Sequence, residues 1–389
     1  MKNKIRMYDT TLRDGEQTIG ANFSVAEKVQ IAQALEDYGI DAIEAGFPAA
    51  SEKDFAAVQA ISRQIKKATV VGLARMVRKD IDAAVESTKE AAHQAVHVFI
   101  ATSPIHRESK LKMTKEEVLD KIAADVAYTK QYVDDIIFSP EDATRTETDF
   151  LIESVQTAID AGATTINIPD TVGYTTPEEF GQIFDDLRQG IPQFDQISWS
   201  THTHNDLGMA NANALAGIEH GANEIQGTIN GIGERAGNVD LIEAAVAIYV
   251  RHDKIARPTT IDLKQSKKIS NLVARLSKVA TAANKPITGR NAFAHESGIH
   301  QDGYLKNPNT YQIIAPEMVG AHVSLPLGKL SGSHAVHDKL VDLGYEVHSA
   351  EMPAIFKAFK RVAEGTSVVS DKQMEAVADM VIKEKVAQG

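Results

Sequence analysis

The sequence predicts an α/β protein built on a (β/α)8 TIM barrel, followed by a linker and a small helical C-terminal subdomain. Three observations predict it. Eight short β-rich runs alternate with segments of helical period through the first two-thirds of the 389 residues. Each run ends in polar side chains able to do chemistry, and a barrel gathers its chemistry at the carboxyl ends of its strands. After about Ile255 the alternation stops. A doubly wound open sheet is the alternative. It usually carries a Gly-rich phosphate turn after the first strand, whereas here that strand leads into Asp9-Thr-Thr-Leu-Arg-Asp-Gly15.

The expected strands are Ile5–Asp9, Ala42–Gly46, Thr69–Ala74, Ala95–Ala101, Asp135–Ser139, Thr164–Pro169, Gln196–His202 and Asn223–Gly227. Each is short and rich in β-branched or aromatic residues. The segment from Ser24 to Tyr38 illustrates the intervening helices. Val25, Val29, Ala32 and Leu35 form its apolar stripe, Ser24 with Glu27 reads as a capping box, and Gly39 reads as a C-cap. Residues 262–283 read as a further helix, with Leu272, Leu276 and Val279 on one side. A Gly-, Pro- and Asn-rich linker follows from Asn284. From Gly332 two or three helices are expected, marked by Ala335, Leu340 and Leu343 and then by Ile355, Phe359 and Val362. The expected division is therefore a barrel over 1–270, a linker subdomain over 271–330 and a helical subdomain over 331–389.

A hydrophobic content of 43% suffices for a large core, and a net charge of -12 argues against nucleic-acid binding. No apolar run approaches the roughly 20 residues of a membrane span. The N-terminus lacks an apolar signal core, so a cytoplasmic protein is expected. The chain has 0 cysteines, which excludes disulfides, thiolate metal sites and a cysteine nucleophile or acid. Any bound metal must sit on nitrogen and oxygen.

His202 and His204 leave the seventh strand at i and i+2 and so share a face. Closing the barrel brings the end of strand one, with Asp14 beyond it, to the ends of strands seven and eight. Asn238 follows strand eight and offers a carbonyl oxygen. Two nitrogens and one or two oxygens suit Mn²⁺, Mg²⁺ or a catalytic Zn²⁺.

Several strings are similar to a known family. Asp9 to Gln17, His202-Thr-His-Asn-Asp-Leu-Gly208 and Asn230-Gly-Ile-Gly-Glu-Arg-Ala-Gly-Asn238 resemble the motifs of the metal-dependent barrels that include isopropylmalate, homocitrate and citramalate synthases and hydroxymethylglutaryl-CoA lyase. Gly72–Arg75, His97–His106, Phe138–Arg145, Asn167–Tyr174 and Phe293–Gly303 are similar to the isopropylmalate synthase family in particular. The resemblance implies an acyltransferase that condenses acetyl-CoA, as co-substrate, with a branched 2-keto acid, with Mn²⁺ as the expected ion. It implies metal ligation by Asp14, His202, His204 and Asn238. Arg13 is expected to stabilise oxyanion charge, Glu141 to orient substrate or water, and Glu234 to pair with Arg13 or position the acetyl group. His97 and Thr171 are expected around the keto acid, with Arg75 and Gln17 completing the substrate-binding set. His300 is implied as a general acid or base, with His295 and Tyr304 as nearby alternatives. Its segment is implied to reach a neighbouring subunit, so a homodimer or higher homo-oligomer is expected.

Some features depart from the pattern. Leu330 and Ser333 stand where the family has a histidine and an arginine. Family members commonly continue into a leucine-binding domain, whereas this sequence stops at Gly389, so leucine inhibition is not carried over. The absence of cysteine points away from the lyase. Homocitrate or citramalate synthase, with the same chemistry on another 2-keto acid, and a non-catalytic metal-binding scaffold are the competing readings.

Overall fold

A computed structural model describes residues 4–323, 326–345, 347–366 and 368–386. It contains two compact units, Met1–Thr281 and Ala282–Gly389. The first is a closed barrel of eight parallel strands in chain order. The strands are β1 (Arg6–Asp9), β2 (Ala42–Gly46), β3 (Thr69–Arg75), β4 (Gln94–Ala101), β5 (Asp135–Glu141), β6 (Thr165–Asp170), β7 (Ser198–Thr203) and β8 (Glu224–Gly227). Every expected strand is present, with ends shifted by at most two residues. The barrel closes by pairing β1 with β8, from Arg6↔Glu224 to Asp9↔Gly227.

The helices of this unit are α1 (Val25–Tyr38), α2 (Glu52–Gln64), α3 (Arg78–Thr88), the short turn α4 (Pro104–His106), α5 (Lys115–Thr129), α6 (Thr148–Asp160), α7 (Pro177–Gly190), α8 (Ala210–Glu219), α9 (Leu241–Val250) and α10 (Ser266–Ser277). Ser24 caps α1 in the expected manner, its side chain accepting from Glu27 N while the Glu27 carboxylate accepts from Ser24 N. Gly39 ends α1 at φ 98°, and a Cβ there would lie 2.2 Å from the Thr260 carbonyl oxygen. Both the left-handed backbone and the close approach require glycine. The helix expected over 262–283 is shorter. A 3-10 turn, Leu263–Gln265, leads into α10, which stops where Lys278 turns left-handed at φ 61°.

The barrel interior explains where the site lies. Tyr8, Ala42, Val71, Ala95 and Ile137 form a buried layer. Two residues further along their strands, on the same inward face, stand Glu44, His97 and Ser139. The interior thus changes from apolar to polar towards the carboxyl ends, where the loops carry the remaining candidate residues.

The second unit contains α11 (Gly298–Lys306), α12 (Ser333–Asp342), α13 (Met352–Glu364) and α14 (Asp371–Val386). Val336, Leu340, Ile355, Phe359, Met374 and Val377 are buried together, with Leu343 and Val362 packed against them. The i, i+4 spacing of Ile355 and Phe359 puts both on one face of α13. Among the described residues, no helix is long and apolar enough to cross a membrane.

Candidate active site

The loop after β1 turns sharply. The N–H groups of Arg13 and Gly15 both donate to the Thr10 carbonyl, at 3.1 and 3.0 Å. This turn presents Arg13 and Asp14 side by side, and Arg13 Nη1 donates to Asp14 Oδ2 at 2.7 Å. Beneath the loop, Lys28 of α1 is only 1% exposed. Its ammonium contacts Glu16 Oε2 at 2.5 Å, the Leu12 carbonyl at 3.3 Å and Asp54 Oδ1 at 3.4 Å.

Across the mouth, β7 delivers both imidazoles. His202 Nε2 lies 3.2 Å from His204 Nε2. Asp14 Oδ2 lies 3.4 Å from the first and 3.9 Å from the second. All three side chains are buried, and each offers a ligand atom within 4.8 Å of the others. Asn238 Nδ2 donates to Asp14 Oδ1 and to the Ile232 carbonyl, each at 3.2 Å. Asn238 Oδ1 is buried without a hydrogen-bond partner, as are Nδ1 of His202 and Nδ1 of His204.

Electrostatics favour a cation. Burial alone would raise the Asp14 carboxyl, but Arg13, and then His202 and His204, hold it well below the usual range. Burial, reinforced by the neighbouring His202, pushes His204 down to about 4, so its lone pair is free at neutral pH. Two ring nitrogens facing each other beside an ionised carboxylate, with an orphaned amide oxygen next to them, fit a divalent ion on N and O ligands. The structure brings together Asp14, His202, His204 and Asn238, the four residues expected from the sequence at this position.

Glu44 is the hub that organises the neighbouring residues. Its Oε2 accepts from Arg13 Nε at 2.5 Å. Its Oε1 accepts from the Tyr8 hydroxyl at 2.8 Å and lies 2.6 Å from His97 Nδ1. The other nitrogen of His97 lies 2.6 Å from Ser139 Oγ, which accepts from Asn167 Nδ2 at 2.8 Å. Burial would raise Glu44, but Arg13 and His97 bring it down to about 2. Burial also lowers His97 despite the carboxylate beside it.

The other expected residues are placed as follows. Glu141 ends β5 and accepts from Lys110 Nζ at 2.7 and 3.0 Å. Thr171 follows β6, its hydroxyl accepting from Asp142 N at 3.0 Å. Glu234 is exposed and lies 3.5 Å from Arg235 Nη1. The expected Glu234–Arg13 pair is therefore not formed, since Arg13 is engaged by Glu44 and Asp14. Arg75, the last residue of β3, is turned to the following helix α3, with Nε 2.6 Å from Asp80 Oδ2 and the side chain 58% exposed. Gln17 is exposed at the end of a 3-10 turn. His300 lies on α11 of the second unit, exposed, with its ring 4.5 Å from that of Tyr311. His295 and Tyr304 stack at 5.3 Å in the same unit.

Sequence reasoning gave Glu44 no role and missed Tyr8, Ser139 and Arg235. Arg235 donates to both carboxylate oxygens of Asp206, at 2.8 and 3.0 Å, and to the Thr171 carbonyl at 2.8 Å. It thereby ties together the loops after β6, β7 and β8. Arg235 holds φ 55°, and Asp142, in the loop after β5, holds φ 65°. Non-glycine residues in this region are uncommon and gather at functional sites.

The fold and a matching family model define the class. The family described as HMGL-like matches residues 4–273, and one described as homocitrate synthase post-HMGL domain-like matches 287–367. The crystal structure of hydroxymethylglutaryl-CoA lyase from Pseudomonas aeruginosa is similar in fold, with TM-score 0.59 at 19% identity over 72% of this chain and 95% of that one. The carboxyl transferase domain of Rhizobium etli pyruvate carboxylase, with pyruvate and biocytin, is also similar, with TM-score 0.55 at 15% identity over 98% of this chain and 60% of that one.

Curated sequences narrow the class. The 2-isopropylmalate synthase of Staphylococcus saprophyticus is 55% identical over 97% of this chain and 74% of its own length. That of Listeria welshimeri is 56% identical over 96% of this chain and 73% of its own. The chain belongs to the 2-isopropylmalate synthase family, within the HMGL-like barrels.

Proposed function

We propose that the protein is a 2-isopropylmalate synthase. It condenses acetyl-CoA with 3-methyl-2-oxobutanoate and water, giving (2S)-2-isopropylmalate and CoA, the committed step of leucine biosynthesis. The observation that carries this reading is the convergence of Asp14, His202 and His204 beside Arg13 at the barrel mouth, in a chain 55% identical to an enzyme of that name.

Asp14, His202, His204 and the Asn238 carbonyl would hold the divalent ion, for which Mn²⁺ is the first choice and Mg²⁺ or Zn²⁺ the alternatives. Bound there, the ion supplies Lewis-acid polarisation of the 2-keto acid. Arg13 spends two of its five N–H donors on Glu44 and Asp14, which fixes the guanidinium plane. Its other donors are free to face negative charge as it grows on the reacting oxygen. A base, for which His300 is the candidate, removes a methyl proton from acetyl-CoA. The methyl carbon then bonds to the keto carbon, whose oxygen takes up the electron pair and then a proton to become the hydroxyl. Water cleaves the thioester C–S bond, and CoA leaves as the thiol. Thr171 and His97 line the keto-acid side, and Glu141 orients substrate or water. Glu234, free of Arg13, helps position the acetyl group, and Arg75 and Gln17 complete the substrate-binding set.

A homodimer, in which the 271–330 segment reaches a neighbouring copy, and a cytoplasmic location complete the proposal. The test is CoA-thiol release from acetyl-CoA with Mn²⁺. Release that depends on 3-methyl-2-oxobutanoate supports it. Release with 2-oxoglutarate or pyruvate instead assigns a sibling reaction, and no release with any keto acid contradicts the enzyme reading.

A further inference from the structure

Gln226 has no role in the chemistry above, yet it occupies the barrel interior beside the candidate metal ligands. It lies on β8, is 1% exposed, and both Oε1 and Nε2 are buried without a hydrogen-bond partner. A buried amide in this state is costly unless something satisfies it. Its register partner on β7 is His202, and on β1 it is Tyr8. Residues paired across neighbouring parallel strands share a face, and the strands lie about 4.8 Å apart. The Tyr8 hydroxyl is already given to Glu44. His202 has Nε2 turned to Asp14 and His204, while its Nδ1 is buried and unpartnered. Two complementary orphans, an amide oxygen and a ring nitrogen, therefore sit on adjacent strands at one register.

An imidazole that ligates through Nε2 carries its proton on Nδ1 and almost always donates it to an outer partner. We propose that Gln226 Oε1 accepts the Nδ1–H of His202 when the ion is held, making Gln226 a positioning residue that fixes the tautomer and ring orientation of this ligand. The inference rests on the reading of Asp14, His202 and His204 as the cation site. It adds a determinant of ion affinity that lies outside the ligand set.

The test uses Mn²⁺ alone and the full chain, with free Mn²⁺ followed by electron paramagnetic resonance. Gln226→Met keeps the volume and removes the acceptor. Its affinity for Mn²⁺ is expected to fall by about ten-fold or more. Its metal-free urea midpoint is expected to equal or exceed that of the wild type, because two orphaned polar atoms are gone. Gln226→Glu keeps an acceptor oxygen at the same reach and is expected to avoid that loss and bind Mn²⁺ at least about as tightly as the wild type. In the Zn²⁺-loaded wild type labelled with ¹⁵N-histidine, His202 Nδ1 is expected to carry a slowly exchanging proton. That measurement stands even if Gln226→Met does not fold. Affinity unchanged in Gln226→Met, equal losses in the Met and Glu variants, or a His202 Nδ1 without a proton would each overturn the proposal. A wild type that binds no Mn²⁺ would instead overturn the cation site itself.

Discussion

Replacing Glu44 by Gln tests the hub beneath Arg13. The change keeps the shape and removes the charge. An amide oxygen can still accept from Tyr8 and His97, but the amide nitrogen then faces Arg13 Nε, donor against donor. Arg13, with 14% of its side chain exposed, is left with Asp14 as its remaining ion-pair partner. Breaking a buried pair by removing one member costs about 3–5 kcal/mol. A second route gives a similar figure. Glu44 falls from 4.5 to about 2 on folding, which at 1.36 kcal/mol per pKa unit corresponds to about 3 kcal/mol. Urea unfolding of the metal-free chain at pH 7 should therefore show the variant about 3 kcal/mol less stable. Because the folded value is depressed, the contribution is present above about 4.5 and is lost as pH falls towards 2. The difference between wild type and variant should narrow over that window. Turnover should fall on the order of 10²-fold, since Arg13 is no longer aimed. A stability loss below about 1 kcal/mol at pH 7, or one that does not shrink in acid, would refute the assignment of Glu44 as a charged anchor.

Asp14→Ala and His204→Ala should each lower bound metal and turnover together while the far-ultraviolet circular dichroism stays native. Normal metal content in either variant would remove that residue from the ligand set. Arg235→Gln should change stability by less than about 1 kcal/mol, because the pair with Asp206 is partly exposed. It should nevertheless lower turnover through the three loops it ties, and Arg235→Lys should not restore it, lacking the planar fork. Steady-state kinetics beside thermal unfolding separates the two effects. Burial raises Asp9 from 3.8 to about 7. The folded chain thus keeps a proton that the unfolded chain has released, and stability should fall as pH rises from about 4 to 7, by up to about 4 kcal/mol. Asp9→Asn should flatten that slope in urea titrations, and an unchanged slope would show that Asp9 is not its source.

The parts of this fold that follow from local pattern were legible in the sequence. The eight strands are set by β-branched runs between helices, and the α1 boundaries by Ser24, Glu27 and Gly39. The clustering of Asp14, His202 and His204 was legible because i, i+2 spacing fixes His202 against His204 and closure fixes strand one against strand eight. The Glu44 hub was not, because it depends on how far three side chains reach across β1, β2 and β4 once the barrel is closed. Glu234 shows the converse: it lies in the expected loop but contacts Arg235, while Arg13 pairs with Glu44 and Asp14. The helix expected over 262–283 ends early: Val279 continues the apolar stripe, but Lys278 already leaves the helical backbone. Arg235 gave no periodic signal, since its bond to Asp206 joins two irregular loops.

The cation grip is tested most directly by X-ray absorption at the metal edge of the full chain loaded with one equivalent of Zn²⁺. Multiple scattering from two imidazoles with oxygen in the remaining positions is expected, as is the loss of the imidazole pattern in a His202→Ala, His204→Ala double variant. A shell without imidazole in the wild type, or one unchanged in the double variant, would contradict it.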